Sequence, residues 1–404
     1  LQNTFAAKQK VTALYIHVPF CLHKCHYCDF YSVPFAESSL QQWHQGILKE
    51  IELSYMAATA GAFSKSPLQT IYYGGGTPSL VPLSLLSEQL SLISNTFGIC
   101  TEAEITLEAN PGIKDIPSLR SLGVSRLSFG LQSTSDRLLR MLGRRTTVDS
   151  CIEDVLRAER AGFDRIAVDL MIGLPGQTLA DLQETLSVIT KLPIGHISYY
   201  SLTIAAGTPF EKWYGDRPDL LPSEELEREM YYLVLSSLED AGVFPYEISN
   251  ASRCGEESRH NLVYWQADSY LGLGPAAHSY LGGVRRGNIA SLAKWSENVN
   301  IHYQTASSGT DKGKWQPEQF LPGTVEEIID EAAARKETVL LGLRLLSGVS
   351  RHNFRKRHCR ELTEEFAEQI SKLQNRELLQ LEVDSIKLTR LGLDLANQVF
   401  LEFV

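Results

Sequence analysis

The stretch Tyr15-Ile16-His17-Val18-Pro19-Phe20-Cys21-Leu22-His23-Lys24-Cys25-His26-Tyr27-Cys28-Asp29-Phe30 decides how this chain is read. It opens as an apolar, β-branched run and turns at Pro19 into a loop carrying Cys21, Cys25 and Cys28. Three thiolates at spacings of four and three can converge on three corners of an iron–sulfur cube, and soft thiolates suit such clusters. A cube held at three corners keeps one iron open to a further ligand. Zinc is the competing account. It wants a fourth protein ligand to close its tetrahedron, and His17, His23 and His26 are near enough in sequence to supply one. Counting ligands alone leaves both accounts open.

Outward from this loop, short β-branched or aromatic runs alternate with amphipathic stretches. Strands are predicted at 14–18, 70–73, 104–108, 126–131, 165–172 and 196–202, and helices at 39–57, 83–97, 116–122, 148–161 and 178–190. Such alternation implies βαβ units, a parallel sheet and the α/β class. Six strands in this span fit a partial (β/α)6, TIM-like barrel. Polar punctuation follows the strands: Gly74-Gly75-Gly76-Thr77-Pro78, Asn110-Pro111, Gln132-Ser133 and Gly173-Leu174-Pro175-Gly176. In parallel barrels those loops build the active site, so chemistry is expected on one rim, facing the cysteines.

Past residue 202 the alternation lapses. A helix is predicted at 223–241 and loops with short strands at 245–290, then a hydrophilic linker at 307–319. A helix from 324 to about 346, a second at 362–373, a hairpin at 378–388 and a last helix at 389–403 outline a small helical, winged-helix-like domain. The expected division is an N-terminal segment 1–14, a barrel 15–245, an extension with linker 246–322 and an accessory domain 323–404.

The 404 residues carry a net charge of −10, which disfavours nucleic acid as the main partner. Arg144-Arg145, Arg285-Arg286 and the run 351–360 are read as solvated faces or anion sites. No apolar run reaches the ~20 residues of a membrane-spanning helix. Seven cysteines, three of them clustered, do not make a disulfide framework, and Cys100, Cys151, Cys254 and Cys359 are expected as small buried apolar side chains. The chain begins at Leu1 rather than Met. The expected location is the cytoplasm for a bacterial source, or a plastid or mitochondrion if a targeting peptide has been removed.

CxxxCxxC after the first strand, with a glycine-rich motif after the second, resembles the radical S-adenosylmethionine superfamily. That resemblance favours the 4Fe–4S cluster over zinc and implies S-adenosylmethionine (SAM) on the open iron, with a reductant as electron donor. Gly75, Gly76 and Thr77 then fall in the motif that takes the methionine amine, glycines letting backbone approach the ligand. The same resemblance puts Glu108 on the ribose or amine, Gln132 beside it, Arg144 on the methionine carboxylate and Asp169 on the ribose. Tyr15 and Tyr27 pack near the cluster or ligand.

Tyr-Ile-His-Val-Pro-Phe-Cys, Gly-Gly-Gly-Thr-Pro-Ser, Leu-Glu-Ala-Asn-Pro, Phe-Gly-Leu-Gln-Ser, Asp-Leu-Met-Ile-Gly-Leu-Pro-Gly-Gln-Thr and Gly-Leu-Gly-Pro-Ala-Ala-His-Ser together resemble the HemN/HemW group. The group holds two unlike functions. Oxygen-independent coproporphyrinogen III dehydrogenases usually have CxxxCxxCxC and a longer N-terminal arm. Here Phe30 stands at the last cysteine position and fourteen residues precede Tyr15. Both departures favour the HemW-type heme chaperones, which pass heme to acceptor hemoproteins such as respiratory or other heme enzymes. His260-Asn261-Leu262-Val263-Tyr264-Trp265 is similar to the HNxxYW motif linked with heme in that subgroup. It makes His260, Asn261 and Tyr264 heme candidates, with His278 as a further one. The plainer account is that His260 and Tyr264, at i and i+4, stabilise a helix. The dehydrogenase remains the alternative function, and radical tRNA modification is disfavoured by the acidic balance.

Overall fold

The computed structural model describes residues 10–308 and 316–404. The N-terminal segment and the linker expected from the sequence therefore lie partly outside the described residues. Six βα-type strands follow one another: β1 Lys10–Val18, α1 Glu37–Ala60, β2 Ser64–Gly75, α2 Leu83–Thr96, β3 Ile99–Ala109, α3 Ile116–Ser121, β4 Arg126–Gln132, α4 Asp136–Met141, α5 Val148–Arg160, β5 Arg165–Ile172, α6 Leu179–Ile189 and β6 His196–Ser201. The local rules are legible in the caps. Thr147 accepts from Ser150 N–H at the start of α5, and Thr178 with Asp181 forms a capping box on α6.

After β6 come α7 Pro209–Tyr214 and α8 Glu224–Asp240, then β7 Phe244–Glu247, β8 Asn250–Ser252, α9 Arg259–Trp265 and β9 Leu271–Leu273. The segment read as loops with short strands thus supplies strands to both edges of the main sheet. Its order is β9-β1-β2-β3-β4-β5-β6-β8-β7, parallel from β9 to β6 and antiparallel at β8 and β7. Helices pack on the outer face over Leu14, Ile16, Ile71, Leu107, Phe129, Val168 and Leu170, all buried. The inner face is polar, unlike the apolar runs of sheets buried on both sides.

A small sheet, β10 His278–Leu281, β11 Val284–Gly287 and β12 Thr324–Ile328, flanks the edge at β9, and α10 Leu292–Ser307 packs on α1. The expected helix at 324–346 is corrected here. Residues Thr324–Ile328 pair with β11, and the helix proper is α11 Glu331–Gly342. The C-terminal unit has its own core around Val339, Leu343, Phe354, Leu362, Phe366 and Leu373. It adds a helix Arg351–His358, in the run read as a solvated face or anion site, and a three-stranded antiparallel sheet of Val349–Ser350, Ser385–Leu388 and Leu379–Leu381. The helix expected at 389–403 is broken into Arg390–Asp394 and Ala396–Phe400. Cys151 is buried as expected, Cys100 is half-buried, and Cys254 and Cys359 are exposed, which corrects the expectation for those two.

One buried carboxylate ties three elements together. Glu50 of α1 accepts from Gly274 N–H (2.8 Å), Asn288 Nδ2 (2.7 Å) and Trp295 Nε1 (3.2 Å), and burial pushes its pKa up to about 7. A carboxyl raised in the folded state gives its full contribution to stability below its unfolded value and loses it as pH climbs through the folded one. Glu50→Gln, which does not titrate, should therefore gain on the parent by ~3 kcal/mol between pH 4.5 and 7.5. Urea midpoints of both proteins across that range test it. A constant difference would show that Glu50 ionises without penalty.

Candidate functional site

Alternation along the strands puts one polar set inside the barrel. The registers Tyr15↔Tyr72, Tyr72↔Thr106, Glu108↔Ser128, Gly130↔Asp169 and Asp169↔Ser198 line it up across the sheet. Tyr15, Tyr72, Glu108, Asp169, Ser198 and Tyr200 are each half-buried, as side chains facing a lumen are. Tyr72 donates to Glu108 Oε1 (2.7 Å) and Gly75 N–H to Glu108 Oε2 (3.1 Å). Burial lifts Glu108 to about 7 against these two bonds, which pull the other way. Asp169 is lifted by burial to about 6 while a hydrogen bond from Ser198 and the nearby Arg144 oppose the rise. Tyr200 donates to Gln132 Oε1 (2.9 Å), and Gln132 sits at φ 69, in the left-handed region, beside a register shift between β4 and β5.

The cysteine loop crosses the C-terminal rim. Gly76 N–H bonds to Val18 O (2.8 Å) and Thr77 N–H to Phe20 O (2.7 Å), stitching the glycine motif to the loop's first limb. Val33 N–H to Pro19 O (2.6 Å) and Phe35 N–H to Cys21 O (3.1 Å) close its second. His26 anchors the middle, its N–H on Leu142 O and its Nδ1 on Met141 O, both 2.9 Å. That anchoring brings the residues after α4 against the cysteines. A chain of contacts then runs along the rim: Thr77 Oγ1 to Cys21 Sγ (3.8 Å), Asn110 Nδ2 to Thr77 Oγ1 (3.0 Å) and Arg144 Nη1 to Asn110 Oδ1 (3.0 Å). Arg144 also bonds Tyr27, and its Nε is buried without a partner.

Cys21, Cys25 and Cys28 are free thiols and half-buried. Burial pushes Cys28 up to about 11 and raises Cys25 as well, with the thiols acting on one another. Among the described residues no three His, Cys, Asp or Glu side chains gather closely enough to chelate a single metal ion. His17 is committed elsewhere: its Nδ1 meets Tyr15 OH (3.0 Å) and its Nε2 the carbonyl of Tyr31 (2.9 Å).

The structure thus brings together Tyr15, Tyr27, Gly75, Gly76, Thr77, Glu108, Gln132, Arg144 and Asp169 around one rim. Sequence reasoning missed Asn110, which bridges Thr77 and Arg144, and the lumen residues Tyr72, Ser198 and Tyr200. Asn110 carried a signal, as the polar residue closing a strand before Pro111.

His260 and Tyr264 stand at the far end of the lumen set, the His260 ring 5.1 Å from that of Tyr72. The helix α9 crosses the N-terminal end of the strands, where the Glu104 carboxylate accepts from Arg259 N–H (3.3 Å) and His260 N–H (3.1 Å). His260 is buried, with Nδ1 on Thr70 Oγ1 (2.8 Å) and Nε2 on Tyr264 OH (2.9 Å). Burial and Arg126 push its pKa down to about 3, so the ring is neutral. Asn261 contributes its N–H to the cap on Ser258, and Tyr264 packs edge-on against Tyr270. In this arrangement Thr70 and, at the helical i, i+4 spacing, Tyr264 take both ring nitrogens of His260. His278, at the top of β10, is exposed and faces Glu326 (3.4 Å).

Comparison with known proteins adds the following. Residues 15–189 match the radical SAM superfamily, and residues 329–395 match the HemN C-terminal domain. The chain is 33% identical to the protein named heme chaperone HemW of Bacillus subtilis (strain 168), covering 96% of this chain and 98% of that one. It is 32% identical to the protein of the same name in Lactococcus lactis subsp. lactis (strain IL1403), covering 98% of each. The fold matches coproporphyrinogen III oxidase (HemN) from Escherichia coli, described as a radical SAM enzyme, with a TM-score of 0.79 at 19% identity, over 99% of this chain and 91% of that one.

Proposed function

We propose a heme chaperone function from a plain premise: the chain belongs to the HemW family of the radical SAM superfamily. In this reading Cys21, Cys25 and Cys28 hold a 4Fe–4S cluster, SAM binds over the lumen, and heme is carried to acceptor hemoproteins. The donor set suits the cluster: three free thiols on one loop, pinned by backbone bonds at both limbs. The rim suits SAM. Arg144 has an orphaned buried Nε beside the loop, a donor in want of an anion such as the methionine carboxylate. Glu108 spends one bond per oxygen on Tyr72 and Gly75 and keeps lone pairs for a ribose hydroxyl or an ammonium. Asp169, in the lumen below, is placed for the ribose.

When bound and reduced, the cluster with SAM supplies a 5′-deoxyadenosyl radical, chemistry that belongs to the cofactor. The chain's own residues bind, orient and screen it. Whether that radical is used is a separate matter from heme carriage. The observation that carries the chaperone reading is the near full-length identity to proteins named heme chaperone. Phe30, 62% exposed where the dehydrogenases usually have a fourth cysteine, supports it. The polar lumen and the HemN-like fold favour the dehydrogenase alternative.

Cluster-loaded protein incubated anaerobically with heme is expected to develop a Soret band and to pass that heme to an apo-hemoprotein. With coproporphyrinogen III, reductant and SAM it should form no protoporphyrinogen. Multiple-turnover decarboxylation would overturn the chaperone reading and restore the enzyme. Among the described residues no helix is long and apolar enough to cross a membrane.

A further inference from the structure

Two residues before a lumen residue, a strand places another side chain on the same inward face, one level nearer the N-terminal ends of the strands. Below Tyr72, Glu108, Ser128, Asp169 and Ser198 that level consists of Thr70, Thr106, Arg126, Ala167 and His196. Thr70 is taken by His260, and Ala167 contributes only a methyl group. The other three are 0%, 3% and 2% exposed, in the order Thr106, Arg126, His196. Thr106 and Arg126 are Cα partners across β3 and β4, and Arg126 lies near enough to His196 to act on its charge.

These three carry donors that the protein does not use. Arg126 Nε, Thr106 Oγ1 and His196 Nδ1 are buried with no hydrogen-bond partner. The hydrogen-bond network assigns the imidazole proton. Ser258 N–H donates to Tyr246 OH (3.3 Å), which leaves the tyrosine proton for His196 Nε2 (2.9 Å). Burial, with Arg126 and Arg165 alongside, pushes the His196 pKa well below its usual value, so the ring is neutral. A neutral ring that accepts at Nε2 carries its hydrogen on Nδ1, which makes Nδ1 a donor.

The charge is unmatched as well. Arginine stays protonated, and a buried charge is costly unless it is paired. Among the described residues no carboxylate forms an ion pair with Arg126. Glu104 pairs with Arg165 instead (2.7 Å), Asp169 takes its hydrogen bond from Ser198, and Asp169 and Glu256 feel Arg126 only across space. A fixed positive charge beside two N–H groups and a hydroxyl free to donate is the donor shell of an anion.

We propose that Thr106, Arg126 and His196 bind a small monovalent anion, of the halide class, on the floor of the lumen. The ion neutralises the guanidinium and joins β3, β4 and β6 at the level where α9 crosses the barrel. Enclosure at this depth selects an ion that sheds its water readily over a dianion such as sulfate. The site lies one level below the residues assigned to SAM and away from the cysteine loop.

The test uses cluster-loaded, full-length protein in sodium isethionate, whose anion is too bulky for this level, with bromide replacing it at constant ionic strength. Bromide should raise the urea midpoint of the parent along a saturating curve, as a ligand of the folded state does. Thr106→Val, nearly isosteric, should weaken bromide at least about tenfold by removing a hydrogen bond to a charged ligand. Arg126→Met should abolish the bromide dependence. Anomalous scattering from a bromide-soaked crystal of the parent should place the ion among the three side chains. A parent midpoint that bromide does not move overturns the proposal. An equal rise in parent and variants is a general salt effect and overturns it too, as does a soaked crystal with only water among the three side chains. If Arg126→Met does not fold, Thr106→Val and the crystal decide.

Discussion

Serine at any one of Cys21, Cys25 or Cys28 is expected to leave anaerobically reconstituted protein with less than about one iron per chain, against about four iron and four sulfide in the parent. The size of the effect follows from ligand count. With three protein ligands and no fourth, removing one leaves two corners held, and a serine hydroxyl is a far poorer ligand for iron than a thiolate. Of the three nearby histidines, His17 is bonded through both ring nitrogens and His26 through Nδ1 to Met141, and the exposed His23 would bring an imidazole in place of a thiolate. The fold should survive, because the loop is held by its backbone, through Pro19 O, Cys21 O and Leu142 O. Iron and sulfide assays beside circular dichroism measure both halves. Stoichiometric zinc in the parent, with no affinity for iron, would sink the cluster assignment.

The sequence carried much of this site because its signals are backbone signals. A strand ending in Gly74–Thr77 or Gln132 announces a rim position whatever the side chain then does. The six parallel strands were legible for the same reason, their outer faces being unbroken apolar positions such as Ile71, Leu107 and Val168. What failed to read lacked burial contrast. Residues Thr324–Ile328 are exposed at every position, so no periodicity marks them as a strand, and only pairing with β11 makes them one. The three residues of β9 sit in a glycine-rich run too short for a pattern, yet they complete the sheet beside β1. His260 shows a further limit. Its spacing to Tyr264 was visible, but whether the pair faces a ligand or the protein depends on Thr70 and Glu104, more than 150 residues away in sequence.

Gly76→Val is expected to lose most of the bound iron and about 3 kcal/mol or more of stability. Read as a ligand-binding glycine, Gly76 would be expected to lose SAM while keeping the cluster. The structure turns that around. A Cβ on Gly76 would stand 2.6 Å from Phe20 O and 2.8 Å from Val18 O, aimed at the cysteine loop rather than into the lumen. Both are backbone atoms, and Val18 O already accepts Gly76 N–H while Phe20 O accepts Thr77 N–H, so neither can swing aside as a flexible side chain would. Gly75 is constrained as well: its φ of 106 lies in the left-handed region, and a Cβ there would meet the His17 ring. Relieving the clash at Gly76 means moving Phe20, and Cys21 follows it. Thr77→Ala makes the contrast, since it removes the hydroxyl between Cys21 and Asn110 without pushing on the loop, and should keep most of its iron. Iron content, urea midpoints and calorimetry with SAM on both variants decide the matter. Full iron in Gly76→Val, with only SAM affinity reduced, would show that the glycine serves the ligand and not the loop.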